Sequence, residues 1–550
     1  MVGKRGKSPF FWPAAAAALL LLGACNGAKP VNGTADADRD AQVTEAGVLP
    51  ITRQKTMLRV MVRGSGNVEN FATNEFTKWL EEKTNIQIEW EVAPEQTYQE
   101  KLNVALAGGD YPDVLLNMGI SPNKQSIYGK DGVFVPLNDY IEKYGVETKK
   151  MYVQVPYAQE LMKLPDGNVY ALPQINECYH CAYGQKMWIN QAWLDELGLP
   201  MPVTTEQFYE TLKAFKTRDP NGNGKADEIP LAGAINGPSA SFEHFIMGAF
   251  IEKDSSLKYI RDGRIQAAYS QPEWKEGLHY LNRLYEAGLI ASQSFTQDRN
   301  QLKQLGTSPG FELLGAVSAQ NPTVFLEPDS PRMKQYVALP PLRGPEGVRS
   351  TAYNPYAIVY GTYVVTNNAR NPAAAFRLGD FLLSEEATMR STIGRPGLEW
   401  DKASPGELGL DGRQAKWKQL VTFGKLQNVH WAQYGPSLRT NAYRLSQYAD
   451  PKYPLEIMLY NETQRKYEPY RMDPSKSVPP LFFTSEQAEE LTHIEKAITD
   501  YRIEFFAKAV TGAIDIESEW PHYLNALDKL GLNRVLALYQ QAYDASRLKK

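Results

Sequence analysis

Along the first part of the folded chain, the pattern of apolar and polar positions alternates between the two-residue period of a strand and the 3.6-residue period of a helix. The apolar run at residues 57–64 (MLRVMVRG) predicts a strand, and NEFTKWLEEKTN places Phe76, Trp79 and Leu80 on one helix face. A strand at 86–93, a helix at about 95–107 before two glycines, and a buried strand at 110–119 are predicted next. This alternation predicts an α/β fold built in layers.

The middle of the chain repeats this pattern. Predicted strands lie at 186–190, 229–237, 313–322 and 356–367, and predicted helices at 191–199, 204–216, from 270 onward and at 371–387. From Ser485 onward, almost every stretch has helical periodicity. The simplest assembly is two α/β lobes with a helical C-terminal portion.

Strand ends supply the first candidate ligand residues. In open α/β sheets, ligands bind beyond the carboxyl ends of the strands. Arg63 and Asn117 lie near the carboxyl ends of the first and third predicted strands, and Asn236 ends the strand that begins at residue 229. These residues are candidates for a cleft, although a loop residue without a ligand is an equal alternative for each one.

The N-terminus has the pattern of an export signal. A basic start (MVGKRGK) precedes FFWPAAAAALLLL, an apolar stretch too short for a comfortable membrane span. The following Leu-Gly-Ala-Cys resembles a bacterial lipobox, so we expect a signal peptide at 1–24 and lipid, such as palmitate, on Cys25. A secretory signal with a chance cysteine is the alternative. Residues 25–54 are small and polar, which predicts a flexible tether.

Length, charge and composition narrow the class of protein. The chain has 550 residues, which is too long for one ordinary core. Its net charge of −4 and the lack of a long basic run argue against nucleic acid as a partner. Tyrosine (31) and tryptophan (10) are abundant. Exposed aromatic rings suit sugar binding, but for most of these residues ordinary packing is the favoured interpretation.

Two further cysteines, Cys178 and Cys181, lie in the loop ECYHCAYGQ. In an exported protein they are free to oxidise, and we favour a local structural disulfide. Free thiols, redox catalysis and metal binding are the alternatives. A thioredoxin-type site needs a helix N-terminus in a small βαβ fold, and His180 lies between the cysteines rather than at zinc spacing.

Familiar catalytic signatures are missing from the sequence. It contains no H-E-x-x-H, G-x-S-x-G, P-loop or G-x-G-x-x-G motif, and its six histidines are not paired at metal-ligand spacing. Residues 255–258 match S-x-x-K in a polar turn without companion motifs, which we attribute to chance. A glycoside hydrolase stays open, because its two carboxylates can lie far apart in sequence.

The loop at 219–230, DPNGNGKADEIP, is the strongest local signal. It begins like an EF-hand calcium loop, but Pro230 stands where an EF-hand needs a bidentate glutamate. The adjacent acidic pair can close the ligand ring instead. The expected calcium ligands are Asp219, Asn221, Asn223, Lys225 through its carbonyl, Asp227 and Glu228. A solvated Asn/Gly turn is the alternative, and a bound ion would staple the loop rather than switch it.

Together these elements resemble the family 1 extracellular solute-binding lipoproteins of ABC importers. The family is related to maltose-binding protein, and the chain is most similar to its alginate-oligosaccharide-binding members. Besides the lipobox, the matching segments are LAGGDYPDVLLNM (106–118), VYALP (169–173), 185–216, 219–231, 269–290, 361–387 and 520–544. Each segment is weak alone, whereas their order and joint coverage of nearly the whole chain are specific.

The resemblance implies an α/β, two-lobed fold of periplasmic-binding-protein type (class II), with hinge crossovers and a helical C-terminal portion. The expected lobes are 55–175 plus about 352–415, and 176–351 plus about 416–550. Such proteins close on a ligand and dock on a membrane permease served by a separate ATPase. Related alginate-binding proteins hold calcium in a loop of this type. We therefore expect a lipid-anchored monomer on the outer face of the cell membrane.

Aromatic and polar residues near the crossovers are further ligand candidates. Aromatic faces bind the CH-rich surfaces of sugar rings, and polar groups bind the hydroxyls. The candidates are Tyr179, His180, Tyr183, Trp188, Tyr353, Tyr356, Trp400, Trp431 and Tyr434, and Arg395 could meet an acidic sugar. Ordinary packing is the alternative for each residue singly.

The leading functional hypothesis is capture of an oligosaccharide for import, without catalysis. A peptide or another small solute is an alternative ligand. A secreted polysaccharide-degrading enzyme with a calcium-stabilised fold is an alternative of a different class. A dockerin-like scaffold is less favoured, because it usually needs paired calcium loops and the sequence has only one.

Overall fold

The computed structural model describes residues 42–184, 186–235 and 240–547. The predicted signal peptide, the lipidation site Cys25, the first part of the predicted tether and the candidate Asn236 lie outside these residues. The strands are β1 (Thr56–Arg63), β2 (Ile86–Ala93), β3 (Val114–Leu116), β4 (Ala171–Asn176), β5 (Met187–Asn190), β6 (Ile229–Ala232), β7 (Lys258–Arg261), β8 (Arg264–Ala267), β9 (Leu314–Ser318), β10 (Tyr336–Leu339), β11 (Ile358–Val365), β12 (Trp400–Lys402), β13 (Trp417–Gln419) and β14 (Ser437–Arg439).

The described residues also form eighteen α-helices. They are α1 (Glu75–Thr84), α2 (Tyr98–Gly108), α3 (Pro122–Lys130), α4 (Asn138–Tyr144), α5 (Val146–Gln154), α6 (Pro156–Met162), α7 (Gln191–Glu196), α8 (Thr205–Thr217), α9 (Phe242–Met247), α10 (Pro272–Glu286), α11 (Arg299–Gly306), α12 (Pro372–Leu382), α13 (Glu385–Thr392), α14 (Asn441–Arg444), α15 (Leu455–Lys466), α16 (Ser485–Val510), α17 (Ile516–Lys529) and α18 (Leu532–Arg547). None of the helices in the described ranges is long and apolar enough to cross a membrane.

The first lobe is built on a six-stranded sheet with the order β14-β4-β11-β3-β1-β2. β1 lies parallel to β2 and to β3, as the predicted β-α-β-α-β unit requires. Side chains of β1 alternate between two cores, because Val60 and Val62 pack on one face of the sheet and Met61 packs on the other. Burial on both faces explains why these strands read as nearly continuous apolar runs.

The second lobe is built on a four-stranded sheet with the order β10-β5-β9-β6. Its large core also holds side chains of α10, α16 and α17, such as Trp274, Phe505 and Trp520. The long helix α16 begins with a capping box, in which Thr484 and Gln487 satisfy each other's backbone N–H groups. The predicted helical C-terminal portion is therefore part of the second lobe.

Three chain segments cross between the lobes. The first joins β4 to β5, the second joins β10 to β11, and the third follows β14 and leads to α15. In the first sheet, Ile175 of β4 lies opposite both Ile358 of β11 and Leu438 of β14. In the second sheet, Leu339 pairs with Met187. The first two crossings therefore start and end side by side.

The lobe boundaries differ from the predicted ones in two places. β14 pairs with β4 in the first sheet, so the first lobe extends to about Arg439 rather than ending near residue 415. Within the predicted tether, Val43 and Ile51 are buried in the first core, and Arg377 donates hydrogen bonds to the Thr44 and Val48 carbonyls. Residues 42–54 are therefore folded, because the few apolar side chains of this polar stretch pack into the core of the first lobe.

Trp431 is central to the packing of the first lobe. Its ring is 1% exposed, lies edge-on to Phe76 and Trp90 at 4.7 and 5.3 Å, and donates its indole N–H to Thr77 Oγ1 at 2.8 Å. Trp431 thus packs against α1, although more than 300 residues separate the two in the sequence.

Replacing this ring tests its structural role. We expect Trp431→Ala to lower the free energy of unfolding by about 3–5 kcal/mol, because it opens a large cavity in the core of the first lobe. Leu426→Ala is the control, since Leu426 is 64% exposed. Urea unfolding followed by circular dichroism measures both variants. Equal unfolding midpoints for the two would contradict the assignment.

Candidate functional site

A cleft of about 1630 Å³ lies between the two lobes. The first lobe contributes the end of β1 and the polar turn after β2, and the second contributes the start of α11 and residues 320–334. The crossings close one side, with Asn176 and Arg439 at the ends of β4 and β14. The wall therefore combines strand ends, as expected for an α/β fold, with irregular segments far apart in sequence.

Two aromatic pairs line this cleft. Trp417 of β13 stacks on Tyr443 of α14 with ring centroids 5.4 Å apart and an interplanar angle of 28°. The indole N–H of Trp417 donates to the Tyr443 carbonyl at 3.1 Å, which fixes the ring orientation. Phe423 stacks on His430 at 6.1 Å with nearly parallel planes. Flat rings held in this way offer the faces on which sugar rings pack.

A charged network closes the cleft where the first and third crossings meet. Arg444 donates to Glu456 Oε2 at 2.8 Å, and His180 Nε2 lies 3.7 Å from the same oxygen. Burial alone would raise the pKa of Glu456, but Arg444 and His180 outweigh it and hold this pKa at about 2. The Glu456 carboxylate therefore stays ionised, and its charge is balanced by Arg444 and His180.

Arg63 enters the cleft at the end of β1, as predicted. Its guanidinium lies 5.1 Å from the ring centres of both Tyr98 and Tyr434. The Tyr434 hydroxyl accepts from Arg63 Nε at 3.0 Å and donates to the Gly64 carbonyl at 3.2 Å. Tyr434 thus positions Arg63 rather than lining the cleft itself.

A smaller cavity of about 310 Å³ shares Asn176, Cys178 and Cys181 with the cleft. Four of the predicted ligand residues line this cavity and not the cleft: Tyr179, Tyr183, Tyr353 and Tyr356. Of the predicted residues that the structure describes, only Arg63 and His180 line the larger cleft. The turn at residues 178–183 divides the two cavities, and for this reason the tyrosines fall on its far side.

Two predicted ligand residues are core residues instead. Trp188 of β5 is fully buried and donates its indole N–H to the Ala319 carbonyl at 3.0 Å. Trp431 is buried against α1, as described above. The structure therefore places both rings in a core, and sequence composition does not distinguish a buried indole from an exposed one.

Three more candidates lie outside both cavities. Arg395 forms a fork with Glu399, with Nη2 to Oε1 at 2.7 Å, so its charge is already neutralised. Trp400 donates to the Gly394 carbonyl at 3.0 Å, and Asn117 accepts from the Gly435 N–H at 3.2 Å. Their polar groups serve local structure.

The cleft also contains residues that the sequence analysis missed. Trp417, Phe423, Arg439, Tyr443 and Arg444 all line it. They lie in the irregular chain between residues 417 and 444, where no periodic pattern marks a facing side. The only available signal was the density of aromatic and basic residues in that stretch.

The structure joins Cys178 and Cys181 by a disulfide. Among the described residues, these cysteines and His180 form the one group of three metal-binding side chains whose ligand atoms lie within 4.8 Å of one another. With both sulfurs in a disulfide, the group offers no thiolate. Lys186 braces the same turn, because its Nζ donates to the carbonyls of His180 and Tyr183.

The predicted calcium loop is wound around the side chain of Asp219. Its Oδ1 accepts from the Asn223 N–H at 3.1 Å and its Oδ2 accepts from the Gly224 N–H at 2.9 Å. Gly222 and Gly224 have φ values of 69° and 74°, which glycine adopts without strain. The amides of Asn221 and Asn223 donate to Asp227 Oδ1 at 3.1 and 3.0 Å.

Glu228 is the unusual group in this loop. Both of its carboxylate oxygens are buried and have no hydrogen-bond partner. Burial raises its pKa, and the neighbouring charges of Asp219 and Asp227 raise it further. A buried carboxylate facing two other acids is costly unless a cation joins them. This oxygen-rich donor set therefore fits a calcium ion.

Residues 65–389 match the model of the bacterial extracellular solute-binding protein family, which is more than half of the chain. The chain belongs to this family. The membership confirms the predicted resemblance, and the described fold agrees with the two lobes that it implied.

Two curated relatives of this solute-binding protein are similar over most of their length. One is the fructooligosaccharide ABC transporter substrate-binding protein FusA of Streptococcus pneumoniae, which is 28% identical over 97% of both chains. The other is the polygalacturonan/rhamnogalacturonan-binding protein YtcQ of Bacillus subtilis, which is 21% identical over 86% of this chain and 88% of that one.

Solved structures show the same architecture. FusA in complex with kestose superposes with a TM-score of 0.78 at 26% identity, covering 90% of this chain and 100% of that one. A FusA EF-hand mutant in complex with fructo-nystose gives the same score at 25% identity over the same shares of the two chains. The alginate-binding protein AlgQ2, at 22% identity and a TM-score of 0.68 over 90% of this chain and 99% of that one, shares the fold.

His430 gives the solute-binding protein a pH-dependent stability. Burial lowers the pKa of His430 to about 4, although Glu399 opposes the shift, and its Nδ1 accepts the Ala432 N–H at 3.0 Å. The unfolded chain binds this proton near pH 6.5, whereas the folded chain does not. The stability that neutral His430 contributes is therefore present above pH 6.5 and is lost as the pH falls towards 4.

We expect this loss to reach about 3 kcal/mol between pH 7 and pH 4 for the wild type. His430→Gln cannot be protonated and should show a correspondingly flatter pH dependence. Urea unfolding at several pH values measures both proteins, and His244, buried in the other lobe, contributes equally to each. Parallel curves would exclude His430 as the source.

Proposed function

We propose that this protein captures an oligosaccharide in the interlobe cleft and delivers it to an ABC importer. The observation that carries the proposal is the Trp417–Tyr443 stack beside several Arg and Asn side chains in a cleft between two lobes. Aromatic faces with flanking polar groups suit the CH-rich face and the hydroxyl edge of a sugar. The full-length similarity to FusA supports a sugar ligand.

Binding would work by lobe closure. The crossings lie side by side, so the lobes can rotate about them while each core stays intact. Groups of both lobes, such as Arg63 and the start of α11, would then contact one ligand. The closed form would be the one that the permease recognises, and hydrolysis of ATP would belong to a separate subunit.

The protein would act as a monomer held at the outer face of the cell membrane. The lipobox-like sequence before Cys25 supports a lipid anchor. Catalysis forms no part of the proposal, since FusA and YtcQ are both named as binding proteins and the sequence carries none of the catalytic motifs considered above.

Calcium would stabilise the second lobe. Asp219, Asn221, Asn223, the Lys225 carbonyl, Asp227 and Glu228 would hold the ion, which would neutralise the carboxylates of the loop. The buried, unpartnered carboxylate of Glu228 supports this assignment. The solved FusA EF-hand mutant indicates that this relative has an EF-hand, which supports a calcium site in the family.

A sugar screen tests the proposed function. We expect an oligosaccharide that fits the cleft to raise the melting temperature of the purified protein, with no cleavage product detected by chromatography. Trp417→Ala should weaken binding about tenfold in calorimetry, because it removes a stacking face. Phe311→Ala, which changes an exposed ring outside the cleft, is the control. Sugar cleavage would favour an enzyme, and no response to any sugar would refute the proposal.

The calcium assignment predicts opposite effects of one substitution under two conditions. EDTA should lower the melting temperature of the wild type, because the ion binds only the folded loop. Glu228→Gln should abolish this EDTA effect, yet in EDTA it should be at least as stable as the wild type, since it removes a buried unpaired charge. Glu210→Gln, on the exposed face of α8, is the control. An EDTA effect that persists in Glu228→Gln would contradict the assignment.

A further inference from the structure

The inner end of the cleft holds three buried polar groups that have no partner. They are Arg439 Nε, Asn176 Oδ1 and the Tyr443 hydroxyl. Arg439 and Asn176 are register partners in β14 and β4, and Tyr443 lies four residues after Arg439, in the short helix α14. Unpartnered buried polar groups are rare and destabilising, so three of them at one place indicate a site that binds a polar ligand.

Arg439 is the most demanding of the three groups. Its side chain is 2% exposed, and its guanidinium donates to Gln433 Oε1 through Nη1. Among the described residues, no carboxylate lies within ion-pair distance of it. Glu456, the acid whose charge acts on Arg439, is already bound by Arg444 and lies beside His180. Burial lowers the pKa of Arg439 to about 9, which reflects how poorly its charge is compensated.

The rest of the cleft has the same sign of charge. Besides Arg439, six Lys or Arg side chains line it, against four Asp or Glu side chains. The whole chain, by contrast, carries a net charge of −4. A cationic cleft on an anionic protein attracts an anionic ligand, whereas the negatively charged remainder of the surface repels it.

We propose that Arg439, with Asn176 and Tyr443, forms an anchoring subsite for a carboxylate-bearing sugar, so that the ligand is an oligouronide or a similar acidic oligosaccharide. A guanidinium binds a carboxylate through two parallel hydrogen bonds, which matches the free donors of Arg439. The Trp417–Tyr443 stack packs against the ring of the same sugar. The amide of Asn176 and the Tyr443 hydroxyl take its neighbouring hydroxyls.

This inference rests on the proposed function and narrows it to one charge class. The two curated relatives leave the charge open, since fructooligosaccharides are neutral and polygalacturonan is acidic. In this proposal Arg439, and not the predicted Arg395, binds the carboxylate of the sugar. Arg395 is paired with Glu399 and does not line the cleft.

The decisive comparison uses ligands that differ only in charge. Calorimetry with the purified protein compares oligogalacturonides and oligomannuronates of several lengths with their methyl esters and with neutral fructooligosaccharides. We expect an acid to bind about ten- to a hundredfold more tightly than its ester. Affinity for the acid should fall as salt rises, while affinity for any neutral sugar should not.

Variants locate the effect. Arg439→Gln should lose about ten- to a hundredfold in affinity for the acid and little for the ester. Arg283→Gln is the matched control, because Arg283 lies on α10 and forks with Glu206 outside the cleft. Circular dichroism checks that each variant is folded. The salt series on the wild type stands even if Arg439→Gln does not fold.

Each outcome separates the inference from the proposed function. Equal or tighter binding of esters or fructooligosaccharides would overturn the acidic-sugar inference and leave oligosaccharide capture intact. Tighter binding of a sulfated oligosaccharide than of every oligouronide would overturn the carboxylate assignment. No binding of any sugar, charged or neutral, would refute oligosaccharide capture and the inference together.

Discussion

The structure depends on one edge of the first sheet, where three strands meet the chain segments that leave the lobe. β14 lies parallel to β4, and β11 lies antiparallel on its other side. The carboxyl ends of β4 and β14 and the amino end of β11 therefore face the same way. A chain that crosses three times between two sheets can keep both cores closed only if the three crossings leave the sheet side by side at one edge.

The same geometry explains why the inner wall of the cleft is polar. Strand ends bring backbone and side-chain polar groups to a sheet edge, and here those of Asn176 and Arg439 are held next to each other by register. The third crossing then folds Tyr443 and Arg444 over them. A ligand bound here would touch the first and third crossings at once, so binding and the relative position of the lobes are physically coupled.

Sequence patterns predicted the features that depend on neighbouring residues. The β-α-β-α-β start, the helix caps, the Asn/Gly-rich loop and the helical C-terminal region all follow from local periodicity and turn chemistry. The cleft residues did not, because β13 and β14 have three residues each and owe their places to distant partners. Trp188 and Trp417 look alike in sequence, and only the packing decides that one fills a core and the other faces the cleft.

The disulfide between Cys178 and Cys181 makes the three connections mechanically unequal. It closes a small ring inside the first connection. Lys186 stabilises the same turn, because its Nζ donates to the carbonyls of His180 and Tyr183. A segment cross-braced in this way resists both stretching and bending. When one lobe rotates, the backbone must then bend in the second and third connections. The pivot therefore lies near the disulfide-closed turn, and atoms of the moving lobe shift more the farther they lie from it. The far rim of the cleft would sweep the widest arc.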